Sequence, residues 1–238
     1  MTAKQLFDEG EVCEAEKALS SYLRDHPADL SQRTFLFELL CFSGQYDRAE
    51  KQLGVLAKGK NETELAAVLY YSALHAERTR HELFRTQEFP KTPAASSPPG
   101  TLNGKPFQSI RDADPDIGPR LEVYAAGAYL WIPFEHIASV EMEAPRRLRD
   151  TLWAPALVRT GPSFKGTELG EVLIPVVYPF SWKNPDQPVW LGRSTEWVAD
   201  DEGHEFPAGQ KIFDVDGEEI PLLELRSLEL SSTQVAPS

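Results

Sequence analysis

Three carboxylates alternate in Asp112-Ala113-Asp114-Pro115-Asp116, the spacing with which a calcium loop turns acids onto one cation. That template also needs glycine at its sixth place and a bidentate acid at its twelfth. Ile117 and Val123 stand there instead, and Pro115 lies inside the loop. An EF-hand is excluded; a looser metal grip by the three aspartates stands beside a solvated Asx-rich turn. Gly54-Val55-Leu56-Ala57-Lys58-Gly59-Lys60 has phosphate-loop spacing, but Asn61 takes the place of the magnesium-binding Ser or Thr. The stretch before it has helical periodicity rather than that of a strand, so a glycine turn and a capping box from Asn61 and Glu64 explain it better.

The five histidines show no metal-ligand spacing, no G-x-S-x-G elbow or G-x-G-x-x-G loop occurs, and neither Cys13 nor Cys41 has a catalytic neighbour pattern. Asp200-Asp201-Glu202 and Glu218-Glu219 fall in polar, turn-like segments and read as solvated. No catalytic residue, metal or cofactor is expected. Arg146, Arg147 and Arg149 form the densest basic spot, able to pair with nearby acids or to receive an acidic partner.

The background for these residues is acidic: 24 Lys and Arg against 37 Asp and Glu give a formal charge of −13. Such a field repels nucleic acid and anionic lipid surfaces. Two cysteines make no disulfide framework, and both are expected reduced and mostly buried. No apolar run reaches the ~18 residues of a membrane span, and the N-terminus lacks an apolar signal core, so a cytoplasmic protein is expected.

Helices must position the first half. Val12, Ala15, Leu19, Tyr22 and Leu23 have helical spacing, ending near His26 before Pro27. A second helix carries Phe35, Leu36, Leu39, Leu40 and Phe42 up to Gly44, a third runs from Tyr46 to Leu56, a fourth holds Leu65 to Leu74, and a shorter one lies near Arg78 to Arg85. Gly10 and Gly44 are 34 residues apart (44 − 10), and at that offset Ala15-Glu16-Lys17 recurs as Ala49-Glu50-Lys51, Leu6 as Leu40, and Leu19 as Leu53. This is the tetratricopeptide (TPR) period in degenerate form, with Arg78 where a third turn glycine belongs. Stacked helix pairs leave a concave face that accepts an extended peptide or amphipathic helix, and Phe35, Glu38, Leu39, Phe42, Tyr70 and Tyr71 are its candidates.

Residues 89–110, rich in Pro, Ser and Ala, read as an extended, mobile linker between a helical domain over 1–88 and a β-rich domain over 111–232, with a disordered tail at 233–238. Strands are expected at Leu121–Ala125 and Tyr129–Ile132 around a hairpin at Ala126-Gly127-Ala128. Others follow at Ile137–Met142, Val172–Val177, Val189–Leu191, Glu196–Ala199, Lys211–Asp214 and Ile220–Leu230. Arg146 to Asp150 reads as a helical turn or ordered loop. The fold class is α+β: TPR-like helices, then a small, mostly antiparallel sheet or partly open barrel.

Several motifs in fixed order carry a resemblance. They are Asp114-Pro115, Gly118-Pro119, Leu121-Glu122-Val123, Trp131-Ile132-Pro133-Phe134-Glu135, Glu143-Ala144-Pro145-Arg146, Leu148-Arg149-Asp150 and Trp153-Ala154-Pro155-Ala156. Gly170-Glu171-Val172, Ile174-Pro175-Val176, Tyr178-Pro179, Leu191-Gly192-Arg193 and Thr195-Glu196-Trp197 complete the series. Over nearly the whole chain they resemble the ImpE family, also called TagJ or SciE-type proteins. Arg147 stands where relatives often carry Asp, and Phe180 where glycine commonly follows Tyr-Pro.

The resemblance implies a non-enzymatic, cytoplasmic accessory protein of type VI secretion. It would bind the N-terminal helix of the small sheath subunit, TssB (VipA), and influence sheath assembly or its recycling by the unfoldase ClpV. Two readings compete: a metal-dependent enzyme built on Asp112, Asp114 and Asp116, and a regulatory module docking an acidic partner on Arg146–Arg149.

Overall fold

A computed structural model describes residues 1–58, 61–90, 97–199, 203 and 205–231, with the backbone alone for residues 61–65. Helices α1 (Ala3–Asp8), α2 (Val12–Asp25), α3 (Leu30–Phe42), α4 (Tyr46–Leu56) and α5 (Asn61–Thr86) lead the chain. Thr2 and Gln5 start α1 with a reciprocal capping box, and the Asp29 carboxylate accepts from the Gln32 N–H at 3.0 Å to start α3.

The 34-residue repeat reappears bond for bond. Gly10 N–H donates to the Phe7 carbonyl at 3.0 Å and Glu11 N–H to Leu6 at 2.8 Å; Gly44 N–H donates to Cys41 at 3.2 Å and Gln45 N–H to Leu40 at 2.8 Å. Both are Schellman caps, with the glycines at φ +88° and +69°, so α1–α2 and α3–α4 are equivalent helix pairs. At Arg78 nothing stops the helix. The two helices expected between Leu65 and Arg85 are therefore one, whose 26 residues span about 39 Å. Arg78 instead reaches back to Asp47 and Glu50 of α4, at 3.0 and 2.7 Å.

Strands β1 (Gly100–Leu102), β2 (Lys105–Phe107) and β3 (Ile110–Asp112) come next, then the hairpin β4 (Arg120–Ala125) and β5 (Ala128–Pro133), then β6 (Ile137–Met142), β7 (Trp153–Thr160) and β8 (Gly170–Pro175). A short helix α6 (Gln187–Trp190) precedes β9 (Thr195–Ala199), β10 (Glu205–Gly209), β11 (Ile212–Val215), β12 (Glu218–Pro221) and β13 (Ser227–Leu230). Among the described residues these make an open antiparallel sheet of eight strands in the order β2-β1-β13-β6-β7-β8-β4-β5, a three-stranded sheet β12-β11-β3 and a ribbon β10-β9. The class is α+β, helices followed by an antiparallel sheet that does not close.

Two cores explain the layering. One face of the large sheet packs Val140, Val158 and Ile174 against Phe213 and Leu222. Part of its other face sends Tyr124, Trp153 and Leu173 into the core of the helices, beside Leu36, Phe37, Leu40 and Leu74. The helical layer covers only that part.

Several expectations are corrected. Residues 100–110, read as linker, hold three short strands, because Leu102, Phe107 and Ile110 each bury a side chain in the β core. Residues 91–96 lie outside the described residues. Val189–Leu191, read as strand, falls in and just after α6, where Pro188 sits in the first helical turn with its missing N–H at no cost. Ile220–Leu230 is two strands separated by a 3-10 turn at Leu222–Glu224, which follows Pro221. Strand β7, central in the sheet, was not expected, because Pro155 interrupts its pattern. The phosphate-loop spacing begins inside α4, and its Gly59 and Lys60 lie outside the described residues, as does the tail after residue 231.

Candidate functional site

The alternating aspartates enter a buried network rather than converging on a cation. Asp112 ends β3 and Glu122 lies in β4; Arg80 and Glu77 come from α5, and Lys211 immediately precedes β11. Arg80 donates from Nε and Nη2 to the two oxygens of Glu122 at 2.7 and 3.1 Å, and from Nη1 to Glu77 at 3.2 Å and to the Val177 carbonyl at 2.9 Å. The Lys211 ammonium bridges Glu122 and Asp112. Tyr124 and Trp153 donate to Glu77 at 2.5 and 2.8 Å, Tyr129 to Glu122 at 2.6 Å, and Tyr178 to Asp112 at 2.9 Å. Asp112 also accepts from the Asp114 N–H at 3.0 Å, and Asp114 from the Asp116 N–H at 2.9 Å, as successive Asx turns.

This network ties α5 to both sheets. Arg80, Glu122, Lys211 and Asp112 are at most 1% exposed, so no substrate reaches them. Its electrostatics follow from burial and partners. Burial alone would raise the Glu122 carboxyl, but Arg80 and Lys211 outweigh it and hold the group at about 2. Burial, then the Asp112 charge, pushes Asp114 up to about 7. Burial lowers His81 to about 4 against the pull of Glu77. Sequence reasoning missed Glu77, Arg80 and Lys211, since no local spacing links α5 to strands so far along the chain.

The expected helical binding surface is largely occupied by the chain itself. Leu39 and Phe42 are buried in the helical core, where α3 packs between α2 and α4, and offer no docking surface in this structure. Glu38 is buried and faces Arg149 at 3.6 Å; burial lifts its carboxyl to about 7 despite that guanidinium. Tyr70 is half-buried between Trp153, with ring centroids 6.1 Å apart, and Arg149, 5.0 Å over its ring. Phe35 packs edge-on to Phe7, and Tyr71 is half-buried beside Gly54.

The basic loop splits. Arg149 turns inward, while Arg146 and Arg147 stay exposed, Arg146 paired with Glu143 at 2.5 Å. The Asp150 carboxylate accepts both their backbone N–H groups, at 3.0 and 2.9 Å, and so holds the loop. The two repeat glycines are close-approach points as well as helix stops. A Cβ on Gly44 would lie 2.5 Å from the Trp182 indole, and one on Gly10 would lie 3.0 Å from Pro188. Phe180, where relatives were expected to carry glycine, sits at φ +61°, a conformation glycine adopts without strain.

Where the helical layer ends, a groove of about 1340 Å³ opens between the first half of α5 and the uncovered face of the sheet. Val68, Leu69 and Tyr70 line one wall, and Ser139, Glu141, Pro155, Leu157, Glu171 and Leu173 the floor. This concavity presents apolar side chains and five acids, Glu141, Glu143, Asp150, Glu171 and Glu229, against two arginines, Arg159 and Arg226. No group of three or more His, Cys, Asp or Glu able to hold a metal is found among the described residues.

The class is thus an α+β protein with repeated helix pairs seated on an open antiparallel sheet. The crystal structure of protein VPA1032 from Vibrio parahaemolyticus has the same fold, with a TM-score of 0.82 over 96% of this chain and 97% of that one at 21% identity. The profile of the ImpE protein family matches residues 104–229. The type VI secretion system accessory component TagJ of Pseudomonas aeruginosa is 31% identical over 98% of this chain and 92% of its own length. This chain belongs to the ImpE family. No helix among its described residues is long and apolar enough to cross a membrane.

Proposed function

We propose that the protein is a non-enzymatic accessory of a bacterial type VI secretion system, acting in the cytoplasm as an adaptor for the contractile sheath. Its partner is the N-terminal helix of the small sheath subunit TssB (VipA), and its grip on that helix influences sheath assembly or recycling by ClpV. The likeness to TagJ over nearly the full chain supports the accessory role. The observation that favours binding over chemistry is the division of labour in the molecule: the reactive-type side chains are sealed in the network, while the wide concavity exposes Val68 and Leu69. An apolar helix face buried on a few such anchors supplies micromolar affinity.

Calorimetric titration of the full chain with the TssB N-terminal peptide tests the proposal. Saturable micromolar binding is expected, lost when the peptide's apolar stripe is replaced by serine. Absence of binding, or equal binding of the serine peptide, would remove the adaptor role.

A further inference from the structure

Strand register sorts the uncovered sheet face into rows. Ser227, Glu141, Leu157 and Glu171 lie opposite one another across β13, β6, β7 and β8, and so share a face. Glu229, Ser139 and Arg159 form a second row; Pro155, Leu173 and Tyr124 form a third. The helical layer covers Leu173 and Tyr124 of the third row, so the open apolar side chains here are Pro155, the half-buried Leu157 and, on the α5 wall, Val68 and Leu69, 62% and 48% exposed. An apolar strip therefore lies against the helix, with Glu141, Glu171 and Glu229 beyond it. Arg159 is the cation within these rows, and it is engaged by Glu141 at 3.7 Å.

We infer that this face docks a basic amphipathic helix of a partner protein. The helix sets its apolar stripe on Val68, Leu69, Pro155 and Leu157 and its Lys or Arg flank along Glu141, Glu171 and Glu229. This deepens the adaptor reading, on which it rests, by adding the surface and the charge. Width, backbone bonding and charge select the occupant. From β13 to β8 the face is three strand spacings wide, about 14 Å, which admits the ~10 Å body of a helix. A bound strand would find no edge to pair with in mid-sheet, whereas a helix satisfies its own backbone. A second copy of this chain, at −13, would bring like charge to an acidic rim.

The test measures fluorescence anisotropy of the full chain with two labelled peptides of about 18 residues, five helical turns, that share one leucine stripe. One carries lysine flanks and the other glutamate. The lysine peptide is expected to bind at least about tenfold tighter and to weaken with salt. The variants Leu69→Glu/Leu157→Glu and Glu141→Lys/Glu171→Lys should each weaken it by about tenfold or more, while Glu218→Lys/Glu219→Lys, on the small sheet, leaves it unchanged.

Equal binding of the two peptides, or unaltered binding by both groove variants with native circular dichroism, overturns the inference. So does a wild-type dimer in sedimentation that Leu69→Glu/Leu157→Glu dissolves. The TssB peptide separates the two readings. If it binds but ignores the groove variants, the adaptor stands and the surface falls; if the lysine peptide alone needs the groove, the surface stands and TssB falls.

Discussion

Replacing Arg80 with methionine removes the cation that α5 brings to the buried network. In the folded protein Glu77, Glu122 and Asp112 would then face Lys211 as their single buried cation in the network. The hydroxyls of Tyr124 and Tyr129 and the indole of Trp153 remain, so no carboxylate is wholly unsatisfied, but the excess of carboxylates over cations rises from one to two in a dry site. Breaking a buried pair from one side costs about 3–5 kcal/mol, a large fraction of the ~5–15 kcal/mol of a typical fold. Arg80→Met should therefore lower the unfolding free energy by about 4 kcal/mol.

The pH dependence gives a second signature. In the wild type Glu122 is held at about 2, below its ordinary 4.5, so its contribution is present above 4.5 and lost as pH falls towards 2. In the variant one carboxyl must keep its proton; its folded value is raised, so that stabilisation is lost as pH rises. The gap between the two proteins should widen between about pH 5 and about pH 8 in urea unfolding followed by tryptophan fluorescence. Arg80→Met/Glu122→Leu, with the charge excess restored, should show a coupling of about 2 kcal/mol against the single variants. A loss below about 1 kcal/mol, a gap independent of pH, or additive single variants would refute the network's role.

Glu38, raised to about 7 by burial, favours the fold below its ordinary 4.5, and that contribution is lost as pH rises through 7. The Tm of Glu38→Gln should accordingly vary less than that of the wild type between these pH values. Gly44→Ala combines a positive φ with a Cβ driven into Trp182, an expected loss of about 2–3 kcal/mol. Adding Trp182→Ala should remove the clash and recover part of the lost Tm. Leu69→Glu sits on an exposed helix face and should change stability by no more than about 0.5 kcal/mol in urea unfolding, so any binding defect it shows is a surface effect.

The chain announced its helices through local chemistry. Schellman glycines, caps and the 34-residue offset act within a turn or two, so α2, α3 and α4 were legible residue by residue, as were the β4–β5 hairpin around Gly127 and β6. The motif series, also local, pointed to the ImpE family. At Arg78 the sequence misled: the helical pattern reads as two helices, yet without a glycine the third turn does not form and α5 runs on unbroken.

Other features depend on partners distant in the chain. Pro155 hid β7 because its place in mid-sheet is decided by pairing with β6 and β8, not by its own pattern. Asp112 to Asp116 left a loose metal grip open beside an Asx-rich turn; in the fold Lys211, from the far end of the chain, pairs with Asp112. Leu39 and Phe42 looked like a partner's anchors, but the packing of α3 between α2 and α4 buries them in the helical core. The groove is likewise a product of register, which sets Glu141, Leu157 and Glu171 side by side from three separate strands. Short-range bonding is encoded where it occurs. Burial and cross-strand adjacency exist only once the layers have met, and here they decide which acids are sealed inside and which are left facing solvent.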